Sequence, residues 1–153
     1  MLATRQMIPP VTARTAAGHT IRAWDFKQKK NLIIGFLDAG CPATAKFLRE
    51  LAAQAGRMLE LESQALIIFS ELPPASLAEI SPKEIILAAD ISGRAARAFL
   101  GKDALAYGGL ATWGIFVTDR YGELYAQWSG GANQGLPAPG ELFSCLLRIE
   151  IAC

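Results

Sequence analysis

Histidine and cysteine are scarce in this chain of 153 residues, which contains one histidine, His19, and three cysteines. Cys41, Cys145 and Cys153 are odd in number and widely spaced, which fits neither a disulfide framework nor a zinc site. A Ser-His-Asp triad would have to recruit His19 from an N-terminal turn. The sequence therefore predicts no metal and no other cofactor, and it favours a mostly reduced, intracellular protein.

Long apolar runs and a charge excess are also missing. The longest runs, LIIGFL and ALIIFS, have strand length and fall far short of the roughly 20 residues that span a bilayer. The 15 basic residues nearly balance the 14 acidic ones and are scattered apart from KQKK, Lys27 to Lys30, which we interpret as a solvated turn. We expect no nucleic-acid and no membrane partner. The N-terminus MLATRQMIPP has no secretory pattern, so we expect a cytoplasmic protein, with a periplasmic or secreted mature form as the alternative.

What the sequence does contain is an alternation of strand and helix patterns, interpreted as one domain over residues 1–153. VTARTAAGHTIRAW predicts a hairpin that turns at Gly18, and NLIIGFLD, QALIIFS and EIILAAD predict three buried strands. Helices are predicted after Cys41, through ASLAEI and through SGRAARAFL, with Gly56 ending the first and Gly101 the last. This order predicts an α/β layered domain with a mixed sheet.

The C-terminal part adds a second hairpin and a closing helix. GIFVTD and GELYAQW are the two strands of the hairpin, which we expect to pair antiparallel at one edge of the sheet. The helix PGELFSCLLRIEIAC has one apolar stripe, formed by Leu142, Cys145, Leu146 and Ile149.

The junction at Cys41 is where the sequence points to chemistry. Cys41 follows a predicted central strand, and Pro42 suits the first helical position because its missing N–H would be unpaired there. Ligands and reactions usually lie at the carboxyl ends of such strands, and the start of a helix favours a thiolate. Cys41 is therefore either a reactive thiol or a vestigial buried one.

The same stretches resemble a known family. NLIIGFLDAGCPAT resembles the active-site strand and loop of the thioredoxin superfamily, in which C-P-x-C opens a helix. AAGHTIRAWDFKQKKNLIIGFL is similar to the N-terminal hairpin and lead-in of the thiol-specific antioxidant (peroxiredoxin) and thioredoxin-like reductase branch, and GIFVTDRYGELYAQW resembles its late hairpin. The resemblance spans about Pro9 to Leu147. It implies a thioredoxin-like three-layer sandwich with a mixed central sheet and an N-terminal β-hairpin extension.

Several residues depart from the family pattern. Asp38, Ile34 and Trp113 stand where peroxiredoxins have a threonine, a proline and an arginine. A carboxylate near the sulfur disfavours a thiolate, and so does the loss of a cation. Trp113 or Thr112 stands where thioredoxins have a cis-proline, so no cis peptide is expected there.

Thr44 occupies the position of the second cysteine of C-P-x-C, which excludes a disulfide between Cys41 and that neighbour. Its hydroxyl either donates a hydrogen bond to a Cys41 thiolate, which would make a monothiol centre, or is merely tolerated in the first helical turn.

Two functions follow from the resemblance. The first is a thiol oxidoreductase or peroxidase-like antioxidant protein with Cys41 and Thr44 as catalytic residues, a peroxide or disulfide as substrate and an external thiol as reductant. The branch also suggests a homodimer. The alternative is a redox-inactive thioredoxin-like domain that serves as a binding or scaffolding module.

The remaining thiols and the aromatic residues can each be given a structural or a functional role. Cys145 is expected to pack in the core rather than resolve an oxidised Cys41, and Cys153 is either incidental or an exposed partner thiol. Trp113, Trp128 and Tyr125 either pack on the sheet or line a substrate groove.

Overall fold

A seven-stranded mixed sheet forms the centre of the protein. The computed structural model describes residues 2–102, 104–106, 109–110, 112–131 and 134–152. The strands of the sheet are ordered β2-β1-β5-β4-β3-β8-β9, and β6 pairs with β7 separately. The strands are β1 (Thr12–Arg14), β2 (Thr20–Arg22), β3 (Asn31–Phe36), β4 (Ser63–Phe69), β5 (Ile85–Ala89), β6 (Leu105–Ala106), β7 (Gly109–Leu110), β8 (Trp113–Thr118) and β9 (Leu124–Gly130).

Five α-helices and a short 3-10 helix, Ala23–Phe26, accompany the strands in the described part of the chain. They cover both faces of the sheet, which makes three layers. The α-helices are α1 (Pro42–Ala52), α2 (Ala55–Glu60), α3 (Ala75–Glu79), α4 (Arg94–Leu100) and α5 (Pro139–Ala152).

The strand β3 is central because it has neighbours on both sides. It runs parallel to β4, with Ile34 opposite Leu66, and antiparallel to β8, with Ile34 opposite Phe116. Every residue of β3 and β4 is buried, as their continuous apolar runs predicted. The N-terminal hairpin joins the sheet beyond β5, where Arg14 lies opposite Ala89.

Two apolar clusters separate the layers. One lies under α1, α2, α3 and α5 and includes Leu48, Met58 and Leu146. The other lies under α4 and the N-terminal segment, and three rings from β3, α4 and β8 meet in it with centroids 4.9 to 6.1 Å apart. These rings are Phe36, Phe99 and Phe116.

The structure confirms most predicted elements. Gly18 and Gly101 adopt positive φ at the turn and the helix end expected of them. The apolar stripe of α5 is fully in the core: Leu142, Cys145, Leu146 and Ile149 are all buried.

The predicted end of the first helix is wrong. The helix α1 ends at Ala52, because Gln54 leaves the helical region (φ −115°, ψ 28°), and Gly56 lies inside the next helix. The residue with positive φ comes after α2 and is Glu62, at 49°. A glycine marks a helix end only when its position requires a left-handed backbone, and Gly56 is not in that conformation. The pair β6–β7 was not predicted.

Candidate active site

Cys41 lies at the carboxyl end of the central strand. The chain leaves β3 at Phe36, passes through buried Leu37 and a short loop, and reaches Cys41 as the N-cap of α1. The backbone of Cys41 is extended (φ −84°, ψ 127°), and Pro42 occupies the first turn of the helix, as the sequence predicted. The side chain is half-buried and forms no capping hydrogen bond. The thiol is thus reachable from solvent at the helix N-terminus.

The loop before Cys41 is held by the backbone carbonyl of Asp38. This oxygen accepts the N–H of Cys41 at 3.2 Å and the hydroxyl of Thr44 at 2.7 Å. The side chain of Asp38 is exposed, and its carboxylate accepts the N–H of Gly40 at 2.9 Å. The carboxylate that the sequence placed near the sulfur is therefore engaged with the backbone of its own loop.

Thr44 does not form the hydrogen bond to Cys41 that the sequence suggested. A hydroxyl has one proton, and Thr44 donates it to the carbonyl of Asp38. The Thr44 side chain is only 2% exposed, whereas Asp38 is exposed, so the bond is partly buried. The sequence could not show this, because the choice of acceptor depends on how the loop folds back over α1. Thr44 therefore fixes the loop that carries Cys41.

Trp113 lies at the same edge of the sheet as Cys41. Gly114 is opposite Phe36 in the register of β8 and β3, so Trp113 is one residue beyond the end of β3. Its indole N–H donates to the carbonyls of Gly131 and Gln134, both at 3.1 Å. Trp113 supplies no cation here and instead ties the segment after β9 to the sheet.

The three aromatic residues of the hairpin pack on the sheet, as predicted. Trp113, Tyr125 and Trp128 are half-buried and contact the cluster under α1 and α5. Trp113 and Trp128 also line an open groove together with Gln134 and Glu141.

Cys145 is unsuited to resolve an oxidised Cys41. It is 3% exposed within the core cluster of α5, which confirms the packed-core prediction. Burial raises the pKa of the Cys145 thiol, and the charge and hydrogen bond of Arg148 offset this only in part. Both Cys41 and Cys145 are free thiols. Cys153 lies outside the described residues.

Within the described ranges, no three His, Cys, Asp or Glu side chains come together as a metal site requires. No helix described here combines the length and the apolar character needed to cross a membrane.

Solved structures of three peroxiredoxins are similar to this fold. They are a reduced 2-Cys peroxiredoxin from Plasmodium vivax (TM-score 0.76, 12% identity, 97% of each chain covered), the peroxidoxin BcpB from Mycobacterium tuberculosis (0.77, 17%, 97% of this chain and 99% of the other) and thioredoxin peroxidase I from Plasmodium yoelii (0.74, 19%, 97% and 91%). No protein-family model and no curated protein sequence matches the chain. The chain thus has the thioredoxin-like fold found in peroxiredoxins.

Proposed function

We propose that the protein is a thioredoxin-fold thiol peroxidase in which Cys41 is the single nucleophile. The observation that carries this proposal is the placement of half-buried Cys41 at the N-cap of α1, at the carboxyl end of the central strand. Unpaired N–H groups and the helix dipole favour negative charge at such a position. The fold shared with the three peroxiredoxins supports the same reaction class.

The proposed cycle begins when the Cys41 thiolate attacks one oxygen of a peroxide. The S–O bond forms as the O–O bond breaks, and the departing hydroxide or alkoxide takes up, through solvent, the proton that Cys41 released on ionising. Cys41 is then a sulfenic acid, oxidised by two electrons. An external thiol attacks the sulfenic sulfur and releases water, and a second thiol cleaves the mixed disulfide to return the Cys41 thiol.

An external thiol is proposed because the described part of the chain offers Cys41 no accessible second thiol; Cys153, which lies outside it, is the alternative partner thiol. Thr44 replaces the nearest possible partner, and Cys145 is buried in the core. Such a cycle suits a reducing compartment such as the cytoplasm. The homodimer expectation rests on the resemblance alone, and sedimentation equilibrium would test it.

The test is peroxide consumption in the presence of dithiothreitol, with dimedone trapping of the sulfenic acid read by mass spectrometry. The dimedone adduct is expected at Cys41, and Cys41→Ser should lose the activity. Cys145→Ala is the matched control and should retain it. Alkylation by iodoacetamide in the native protein should be at least about a hundredfold faster at Cys41 than at Cys145, because the thiolate is the nucleophile and Cys145 is shielded. Equal peroxide consumption by wild type and Cys41→Ser would contradict the proposal.

A redox-inactive binding module is the second candidate. The position of Trp113, which offers no cation at the Cys41 edge, favours it, as does the Thr44 proton given to Asp38. It predicts that Cys41 gives no sulfenic acid with peroxide, although iodoacetamide still labels the half-exposed thiol.

A further inference from the structure

A cavity of about 270 Å³ opens at the amino end of β3, the opposite end of the sheet from Cys41. Leu32 of β3 lies on one wall, and the turn between β8 and β9, 119–122, lies on another. The segment 7–12 and the 3-10 helix close the remaining sides. No residue of the Cys41 loop, 37–41, lines it.

The cavity has an apolar floor and an aromatic rim. Val11 and Leu32, each 3% exposed, form part of the floor. Met7, Trp24 and Tyr121 stand at the rim with 55%, 71% and 50% of their surface exposed. Large apolar side chains exposed around one hollow are typical of a binding site, since burying them there would release free energy.

The walls carry positive charge that the protein does not neutralise. Lys27 and Lys30 line the cavity and are half-buried, and neither forms an ion pair within the described part of the chain. The Lys27 ammonium lies 4.1 Å from the centroid of the Trp24 ring. The carboxylate of Asp119, which also lines the cavity, accepts the N–H groups of Tyr121 and Glu123 at 2.9 Å.

Two further charged residues near the cavity are already engaged. Arg120 is bound to Glu62 and Glu150, each at 2.9 Å. Asp25, on the 3-10 helix, does not line the cavity, and its carboxylate accepts the N–H of Arg22 at 3.0 Å. Lys27 and Lys30 thus remain as cations for a ligand, together with exposed Arg22, which also lines the cavity and forms no ion pair within the described part of the chain.

The turn that carries both lysines is fixed by the fold. Gln28 adopts a left-handed backbone (φ 66°), which is uncommon for a residue other than glycine, and its N–H donates to the carbonyl of Arg120 at 2.6 Å. Lys27 and Lys30 face the cavity while Lys29 stays exposed. KQKK is a turn, as interpreted from the sequence, but two of its three lysines are half-buried, because it is bonded to the turn between β8 and β9.

We propose that this cavity binds a small amphipathic carboxylate, with its hydrocarbon part on Val11 and Leu32 and its carboxylate between Lys27 and Lys30. The volume is just below the range of about 300–1,000 Å³ that small-molecule pockets occupy, which suits a short acyl chain or a single aromatic ring. An anion is selected because the lining lysines lack carboxylate partners, whereas a cation would meet their repulsion.

The test is a titration of the full chain with octanoate, followed by ¹H–¹⁵N correlation spectra. Octanol is the neutral analogue of the same chain length, and octylammonium is the cationic analogue. Octanoate is expected to shift the NMR signals of the Trp24 indole N–H and of the Val11 and Leu32 amides at a lower concentration than the other two compounds do. Octanol should bind about tenfold more weakly or worse, which corresponds to one lost charge interaction, and octylammonium should leave these signals in place.

Variants in the same turn sharpen the test. The double change Lys27→Gln, Lys30→Gln should weaken octanoate about tenfold, and Lys29→Gln is the matched control that should not. Trp24→Ala, at an exposed position, should weaken binding without unfolding the protein. Equal binding of octanol and octanoate, shifts centred on Trp128, or equal effects of the Lys29 and Lys27/Lys30 changes would each overturn the proposal. Cys41→Ser should bind octanoate normally, so this result is independent of the peroxidase proposal.

Discussion

The two ends of β3 are held by different kinds of interaction. At the carboxyl end, the Leu37 N–H donates to the Ile68 carbonyl, but beyond Leu37 the bonds that fix the Cys41 loop join residues at most six apart in sequence, and much of the loop is exposed. At the amino end, Asn31 is fully buried and donates to Glu150, 119 residues away. Arg120 joins Glu150 to Glu62 across the same end.

This difference indicates that resistance to local opening is uneven along one strand. Long-range buried bonds are broken only when much of the fold opens, whereas local bonds on a surface loop open at small cost. Cys41, the proposed nucleophile, therefore lies where the chain should open at the smaller cost. The cavity lies against the rigid end, where its lysines are held by a fixed turn.

The largest effect is expected from Glu150→Ala. This change leaves the Asn31 amide with the carbonyl of Leu61 alone and removes one of the two carboxylates of Arg120. Because Asn31 is buried while Glu150 and Arg120 are half-buried, the free energy of unfolding should fall by about 2 kcal/mol, measured by urea denaturation. The control is Glu60→Ala, which removes an exposed pair with Arg57 and should cost no more than about 0.5 kcal/mol. Similar losses for the two variants would mean that the Glu150 bonds stabilise the fold no more than an exposed ion pair does.

A smaller effect is expected from Thr44→Val at the other end. The change keeps the shape of the side chain and removes the hydrogen bond to the Asp38 carbonyl, so the loss should be about 1 kcal/mol. If Thr44 positions the loop, kcat/KM for peroxide should fall as well, and Thr44→Ser should restore both quantities. A stability loss with unchanged kcat/KM would show that the loop tolerates movement around Cys41.

The sequence was sufficient where local pattern decides the structure. The apolar runs of β3 and β4 are buried on both faces, and Pro42 placed Cys41 at the start of a helix. It was insufficient at Gly56, because the break in the helix depends on the backbone of Gln54, which carries no turn signal of its own.

Contacts distant in sequence could not be predicted. Nothing in KQKK indicates that the Gln28 N–H meets the Arg120 carbonyl, yet this bond turns Lys27 and Lys30 toward the cavity. In the same way, the Thr44 hydroxyl could reach either Cys41 or Asp38, which are both nearby in sequence. Only the folded backbone decides that it donates to the Asp38 carbonyl. Both cases concern a polar group with several possible partners.

The smallest effect concerns the second thiol and appears only at alkaline pH. Burial raises the pKa of Cys145, so the folded protein holds this proton more tightly than the unfolded chain does. Its contribution to stability is complete below the pKa of an unperturbed thiol, about 8.5, and is lost as pH rises through the higher pKa of the folded state. Urea denaturation between pH 7 and 10 should show a steeper loss of stability for wild type than for Cys145→Ala. Because the other ionisable groups are the same in both proteins, only the difference in slope is diagnostic, and parallel profiles would mean that burial does not perturb Cys145.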